Sequence, residues 1–146
     1  MKVKEGDLFP NFRLKADGGN DVSLLDLKGG KAVIYFYPKD DTPGCTREAC
    51  SFRDNINTFR SRGIPVFGIS VDSAESHVKF KAKYSIPFTL LSDTDKKLVT
   101  ALGIKSAFGG ASRVTFILDA NGKIIKIYPK VSPDKHAEEI LAFFGH

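Results

Sequence analysis

Tyr37-Pro38-Lys39-Asp40-Asp41-Thr42-Pro43-Gly44-Cys45-Thr46-Arg47-Glu48-Ala49-Cys50 joins an apolar run to an amphipathic segment and carries both cysteines of the chain. Ala32 to Tyr37 is an unbroken apolar and aromatic run, which predicts a buried strand; Pro38 ends it, because proline cannot donate to a strand ladder. Thr42-Pro43 then reads as a helix start, since threonine caps orphan amides and proline at the first helical position lacks an N–H that would be unpaired anyway. Cys45 falls in the first turn. There the free amides and the positive end of the helix dipole favour an anion, the setting in which a thiol with an ordinary pKa of about 8.5 becomes a nucleophile. A lone cysteine can equally be a small buried hydrophobe. The strand, turn and helix-start context favours the reactive reading.

Working outward, Cys45, Ala49, Phe52, Ile56 and Phe59 recur at steps of four and three and predict one inward stripe on a helix running to about Arg62, where Gly63 supplies a stop. Cys50 lies off that stripe. Five residues along an ideal helix separate two Cα atoms by about 8.6 Å, whereas a disulfide needs less than about 7 Å. Pairing of these two cysteines within one chain would therefore require the first turns of the helix to unwind. Metal binding is the weaker alternative, because two thiols at this spacing lack the further Cys or His ligands of a zinc site.

The pattern P-x-x-x-T-x-x-C, here Pro38, Thr42 and Cys45, resembles the active-site signature of the peroxiredoxins. The longer string from Phe36 to Cys50 is similar to the bacterioferritin comigratory protein, or peroxiredoxin Q, subfamily, in its form with a second cysteine five residues after the first. The likeness extends from Gly6-Asp7-Leu8-Phe9-Pro10-Asn11-Phe12 through Leu91-Ser92-Asp93 to Arg113-Val114-Thr115-Phe116. It implies a thiol-dependent peroxidase acting on hydrogen peroxide and organic hydroperoxides, with no cofactor and no metal. It further implies an intramolecular Cys45–Cys50 disulfide, reopened by thioredoxin or a related dithiol protein, and a monomer. Val114 departs from the pattern, since family members more often carry a small hydroxyl residue there.

Composition sets the bounds. A chain of 146 residues with 42% hydrophobic content is sized for one domain over residues 1–146, able to bury about two thirds of its unfolded surface. The sequence has no charged-then-apolar leader and no run of about 18 apolar residues, so a cytoplasmic protein without a membrane span is expected. Two cysteines without an export signal argue for redox or catalytic use rather than a stapled secreted scaffold. The net charge of +5 is spread over scattered lysines without a nucleic-acid motif, which fits steering of an acidic protein partner better than nucleic-acid binding.

Along the chain, Phe12 and Leu14, a turn at Asp17 to Asn20, then Val22 and Leu24 predict a hairpin. Pro65 to Val71 reads as the next buried strand. Ser73 caps a helix to Tyr84 whose lysines form a solvated face, with His77 expected on the surface. Phe88 to Leu91 follows as a short strand, and Asp93 or Thr94 caps a helix to Leu102. Asp93 and Asp95 lack the rest of a calcium loop. Val114 to Leu118, a turn at Asp119-Ala120-Asn121-Gly122 and Lys123 to Tyr128 make a second hairpin, and Ser132-Pro133 opens a last amphipathic helix. Strands alternating with helices, closed by a hairpin, predict an α/β thioredoxin-like fold with an N-terminal β-hairpin extension and a mixed central sheet flanked by helices. In such sheets functional groups gather at the carboxyl ends of central strands, where Pro38 to Cys45 lies.

Peroxide reduction needs a thiolate in line with the O–O bond and donors for the leaving oxygen. Cys45 is the attacker. The Thr42 hydroxyl, the Gly44 and Cys45 amides and Arg113 can supply the donors and favour the charged state; without the resemblance, Arg113 would read as an exposed strand-end arginine. The family likeness adds that Pro38 shields the sulfur, that Glu48 supports the local hydrogen-bond network and that Cys50 resolves the oxidised Cys45. A general thiol-disulfide oxidoreductase is the alternative enzyme, opposed by the absence of a C-x-x-C spacing. A redox-controlled binding or chaperone module is the alternative outside catalysis.

Overall fold

The structure, a computed structural model, describes residues 1–145. Its centre is β3 (Ala32–Phe36), five residues all buried. Successive side chains of a strand point to opposite faces, so Ala32, Ile34 and Phe36 enter one apolar layer while Val33 and Tyr35 enter the other. Such a strand needs cover on both sides and paired neighbours on both edges. It runs parallel to β4 (Val66–Ser70) and antiparallel to β6 (Val114–Leu118). Beyond β4 lies β5 (Thr89–Ser92), parallel to it. Beyond β6, β7 (Ile124–Tyr128) returns antiparallel through the turn at Asp119 to Gly122. The hairpin of β1 (Arg13–Ala16) and β2 (Asp21–Ser23) adds to β5, giving one seven-stranded mixed sheet in the order β2-β1-β5-β4-β3-β6-β7.

Among the described residues, six helices cover it. The short α1 (Leu24–Leu27) and α5 (Lys97–Leu102) seal one face with Leu24, Leu27, Leu98, Val99 and Leu102. The other face takes α2 (Pro43–Asp54), α3 (Ile56–Ser61), α4 (Ala74–Tyr84) and α6 (His136–Phe144), through Phe52, Phe59, Phe80 and Ile140 among others. Phe52 stacks on Tyr35, with ring centroids 4.6 Å apart, and meets Phe59, Phe88 and His136. Full burial of one such aromatic contributes roughly 1.5–3 kcal/mol, which makes Phe52 the main rivet between α2 and the sheet. The helix α6 is tied to the same place: buried His136 bonds the Thr115 hydroxyl at 2.7 Å, and the Ala137 amide donates to Ser51 Oγ at 3.3 Å.

Several expected boundaries move, each for a local reason. Leu24 opens α1 instead of extending β2, because Asp26 takes hydrogen bonds from both the amide and the hydroxyl of Ser23 and closes a helical turn. The helix expected to run from Cys45 to Arg62 is interrupted at Asn55, whose side-chain amide donates to Ser51 O at 2.8 Å and competes with the regular ladder. The start of α5 slips to Lys97, yet Asp93 still serves it, accepting from the Leu98 and Val99 amides at 3.2 and 2.9 Å. The last helix begins at His136, after a turn at Ser132 to Lys135. His77, expected on the surface, is fully buried. It shares a stripe with Phe80 and Tyr84, at steps of three and four, that faces the sheet.

Candidate active site

The segment between β3 and α2 leaves the sheet at its carboxyl edge, where Tyr37 N donates to Ile69 O at 3.1 Å, and enters α2 six residues later. Pro43 holds the first helical position, and the first intrahelical bond runs from Thr46 N to Thr42 O at 2.8 Å. Gly44 and Cys45 therefore belong to the turn whose amides have no helical acceptor. Cys45 is 1% exposed, in the apolar layer that holds Ala49, Phe52, Tyr35 and Tyr37. All five residues of the expected stripe are buried, and Cys50 is half-buried off it.

Arg113, at the entrance of β6, reaches across to this turn. Its Nη2 lies 3.3 Å from Cys45 Sγ while Nη1 lies 2.6 Å from Glu48 Oε1, so one planar guanidinium bridges thiol and carboxyl. That approach passes directly over Gly44: a Cβ there would stand 3.1 Å from Nη2. The opposite wall is the segment before Arg113, where a Cβ at Gly110 would come within 2.8 Å of Pro38 O. Small residues at 44 and 110 let cation and turn close on each other. Burial works against the Arg113 charge, but the negative groups at Glu48 and Cys45 outweigh it and hold the guanidinium above its ordinary value.

The structure thus gathers Gly44, Cys45, Glu48 and Arg113 into one cluster. Thr42 stands at the cap position, but its hydroxyl donates to Lys39 O at 2.9 Å and makes no capping bond, which corrects the expected side-chain cap. Pro38 is exposed on the rim. Cys50 sits about 1.4 turns further along the same unbroken helix, and both cysteines are free thiols. A second polar cluster, which the sequence reading missed, lies beneath the turn: Asp40 is bonded by Tyr37, Ser76 and His77. The one signal for it in the sequence is the place of His77 on an apolar helical stripe.

Glu48 is fully buried, and its Oε2 has no partner among the described residues. Burial pushes its pKa from 4.5 up to about 7, against the opposing pull of Arg113. The folded state then keeps this proton in a range where the unfolded chain has lost it. Stability from Glu48 is fully present below about pH 4.5 and is lost as pH rises to about 7, by at most about 3 kcal/mol. Glu48→Gln, which does not titrate, should flatten that loss. Denaturant midpoints of the two proteins compared at about pH 5 and about pH 8 check it; parallel curves would mean that Glu48 is ionised throughout.

A family model described as AhpC/TSA matches residues 6–127 of the chain. The peroxiredoxin Bcp of Bacillus subtilis is 44% identical over 148 residues, covering 97% of this chain and 94% of that protein. The chloroplastic peroxiredoxin Q of Suaeda salsa is 46% identical over 145 residues, covering 97% and 68%. Among solved structures, a cysteine-to-serine mutant of Xylella fastidiosa PrxQ superposes with a TM-score of 0.90 at 32% identity, covering 97% of this chain and 95% of that one. The Xanthomonas campestris bacterioferritin comigratory protein, solved in trapped intermediate and ligand complexes bearing on its alkyl peroxide reduction activity, gives 0.85 at 36%, covering 90% and 88%. The thioredoxin-like fold expected from the order of elements is the fold of these neighbours.

Proposed function

Because the chain belongs to the AhpC/TSA family and, within it, to the thiol-dependent peroxidases named peroxiredoxin Bcp or Q, we propose that Cys45 is the thiol that attacks peroxide. The carrying observation is the Arg113 guanidinium 3.3 Å from Cys45 Sγ at the open amide end of α2. Charge that develops on the sulfur and on the peroxide oxygens meets fixed donors there. The thiolate forms an S–O bond to the near oxygen as the O–O bond breaks, and the leaving oxygen takes a proton to depart as water or an alcohol. Cys45 is left as a sulfenic acid. The Cys50 sulfur then displaces water from it, and an external dithiol exchanges with the resulting disulfide, leaving two thiols here and a disulfide in the donor.

In this reading Thr42, whose one hydroxyl proton goes to Lys39 O, offers its oxygen to the peroxide as an acceptor, Gly44 gives its amide, Pro38 shields the sulfur and Glu48 orients Arg113. The sequence resemblance supports a single domain, a cytoplasmic monomer and a thioredoxin-like donor; the mildly basic surface favours an acidic one. Among the described residues no helix is long and apolar enough to cross a membrane. The test is consumption of hydrogen peroxide and of an alkyl hydroperoxide by substoichiometric protein with a dithiol donor. Turnover supports the peroxidase, and oxidation stopping at one equivalent per chain in the presence of a reduced thioredoxin would sink it.

The resolving step has a structural consequence. In an intact α2 the Cys45 and Cys50 Cα atoms stand about 8.6 Å apart, beyond disulfide reach, so pairing must unwind part of the helix. Phe52 resists further fraying, because exposing it forfeits the stack on Tyr35. Amides from Thr46 to Ser51 are therefore expected to exchange hydrogen faster after oxidation while β3 and β4 stay protected. Equal protection in both redox states, with the Cys45–Cys50 bond verified by mass, would rule the unwinding out.

A further inference from the structure

The turn that aims Cys45 is fastened from below by a set of side chains outside the reacting cluster. Asp40 lies midway between Pro38 and Thr42. Its carboxylate receives Tyr37 Oη at 2.6 Å, Ser76 Oγ at 2.8 Å and His77 Nδ1 at 2.7 Å. The other ring nitrogen of His77 meets Leu91 O in β5 at 2.9 Å. A carbonyl can only accept, so Nε2 is the donor to Leu91 O, and Nδ1 at the other end of the ring pairs with the Asp40 carboxyl. Burial keeps the Tyr37 phenol well above its ordinary range, so it remains a donor. The backbone is tied as well: Asp40 N donates to Asp72 Oδ2 at 2.8 Å, and Asp72 is itself held by Ser70 Oγ at 2.6 Å.

These contacts differ in weight. Asp41, held at φ 57° in the left-handed region, pairs with Lys83 Nζ at 2.8 Å and Tyr84 Oη at 2.6 Å. That pair is exposed, and exposed ion pairs are worth little. The Asp40–His77 pair is buried, with side chains 4% and 0% accessible, where each bond is stronger and an unmade one costly. As a source of stability such a pair is a poor choice, because apolar residues of the same volume often do as well or better. As a means of holding one backbone geometry it is effective. The ring spans from β5 to the turn, and only one register satisfies both of its nitrogens.

We propose that His77, acting through Asp40, is a positioning residue for peroxide reduction: the pair sets the Pro38–Thr42 turn and with it the angle at which the first turn of α2 presents Cys45 and its amides. The inference rests on Cys45 being the attacking thiol. Misplacing a reacting group by about 1 Å can cost on the order of a hundredfold in rate, which is why a residue that touches no substrate can matter here.

The two nitrogens allow a direct test. The amide nitrogen of His77→Asn takes the place of Nδ1 and keeps the bond to Asp40, losing Leu91 O. That of His77→Gln takes the place of Nε2 and keeps Leu91 O, losing Asp40. Each variant's rate with hydrogen peroxide in a single turnover is compared with its rate of alkylation by iodoacetamide, which needs the thiolate but not the aligned amides. His77→Gln should slow peroxide attack by roughly tenfold to a hundredfold relative to alkylation, and His77→Asn should stay within about threefold of the unaltered protein. Equal losses in both variants, or none in either, overturn the proposal. Ser76→Ala, which removes one bond to Asp40 from a half-buried site, covers the case in which the histidine variants fail to fold. It should slow peroxide attack about two- to fivefold with alkylation unchanged, and an unchanged peroxide rate in it also overturns the proposal. Failure of the peroxidase reading looks different: the unaltered protein would form no sulfenic acid at Cys45.

Discussion

Cys45→Ser is expected to lose peroxide consumption by at least about a thousandfold, because an alcohol at the same place lacks the thiolate that makes the attack possible. Cys50→Ser is expected to behave differently. It should consume one equivalent of peroxide per chain and then stop, with the sulfenic acid held at Cys45 and open to a dimedone-type trap. The asymmetry follows from position. Cys45 faces Arg113 at the open amide end of α2, whereas Cys50 lies half-buried about 1.4 turns on, off the stripe that carries Cys45. Removing the Cys45 sulfur leaves a fully buried hydroxyl in an aromatic layer, so the folded fraction has to be measured alongside activity. A trap that labels Cys50 in the unaltered protein, with Cys45 unmodified, would reverse the two roles.

How far the site could be read in advance depends on how local its causes are. Thr42, Gly44 and Cys45 lie on one strand-turn-helix passage, and proline, glycine and helix-cap chemistry act within a few residues, so their placement was legible. Arg113 is distant in sequence, and its approach to Cys45 is a product of β6 pairing antiparallel with β3. Here the family likeness, not the residue's own context, pointed to it. The anchor under the turn had neither support. Asp40 looks like a turn aspartate and His77 like one more polar residue among lysines. Only the crossover that lays α4 against the sheet brings them together, with Leu91 supplied by a third element. The break at Asn55 escaped notice because it hangs on a side chain choosing a backbone carbonyl over solvent, and helical periodicity continues across it.

Arg113→Ala is expected to slow the reaction of Cys45 with peroxide by about a hundredfold or more, the usual effect of removing one fixed donor from a developing anion. Two consequences of the substitution need separating. Loss of Nη2 takes a cation from 3.3 Å of the sulfur. Loss of Nη1 strands the buried Glu48 carboxylate, which removing a partner can make costly by several kcal/mol. Glu48 has a way out, since burial already pushes its pKa to about 7 and without the guanidinium it would keep its proton. Measuring Arg113→Ala in a Glu48→Gln background removes that complication and isolates the effect at the thiol. Arg113→Lys is the sharper comparison. An ammonium restores the charge but not the planar fork that touches Cys45 and Glu48 at once, so it should recover only part of the rate. If Arg113→Ala reacted with peroxide as fast as the unaltered protein in either background, the guanidinium would be structural, and the thiol would owe its reactivity to the helix terminus alone.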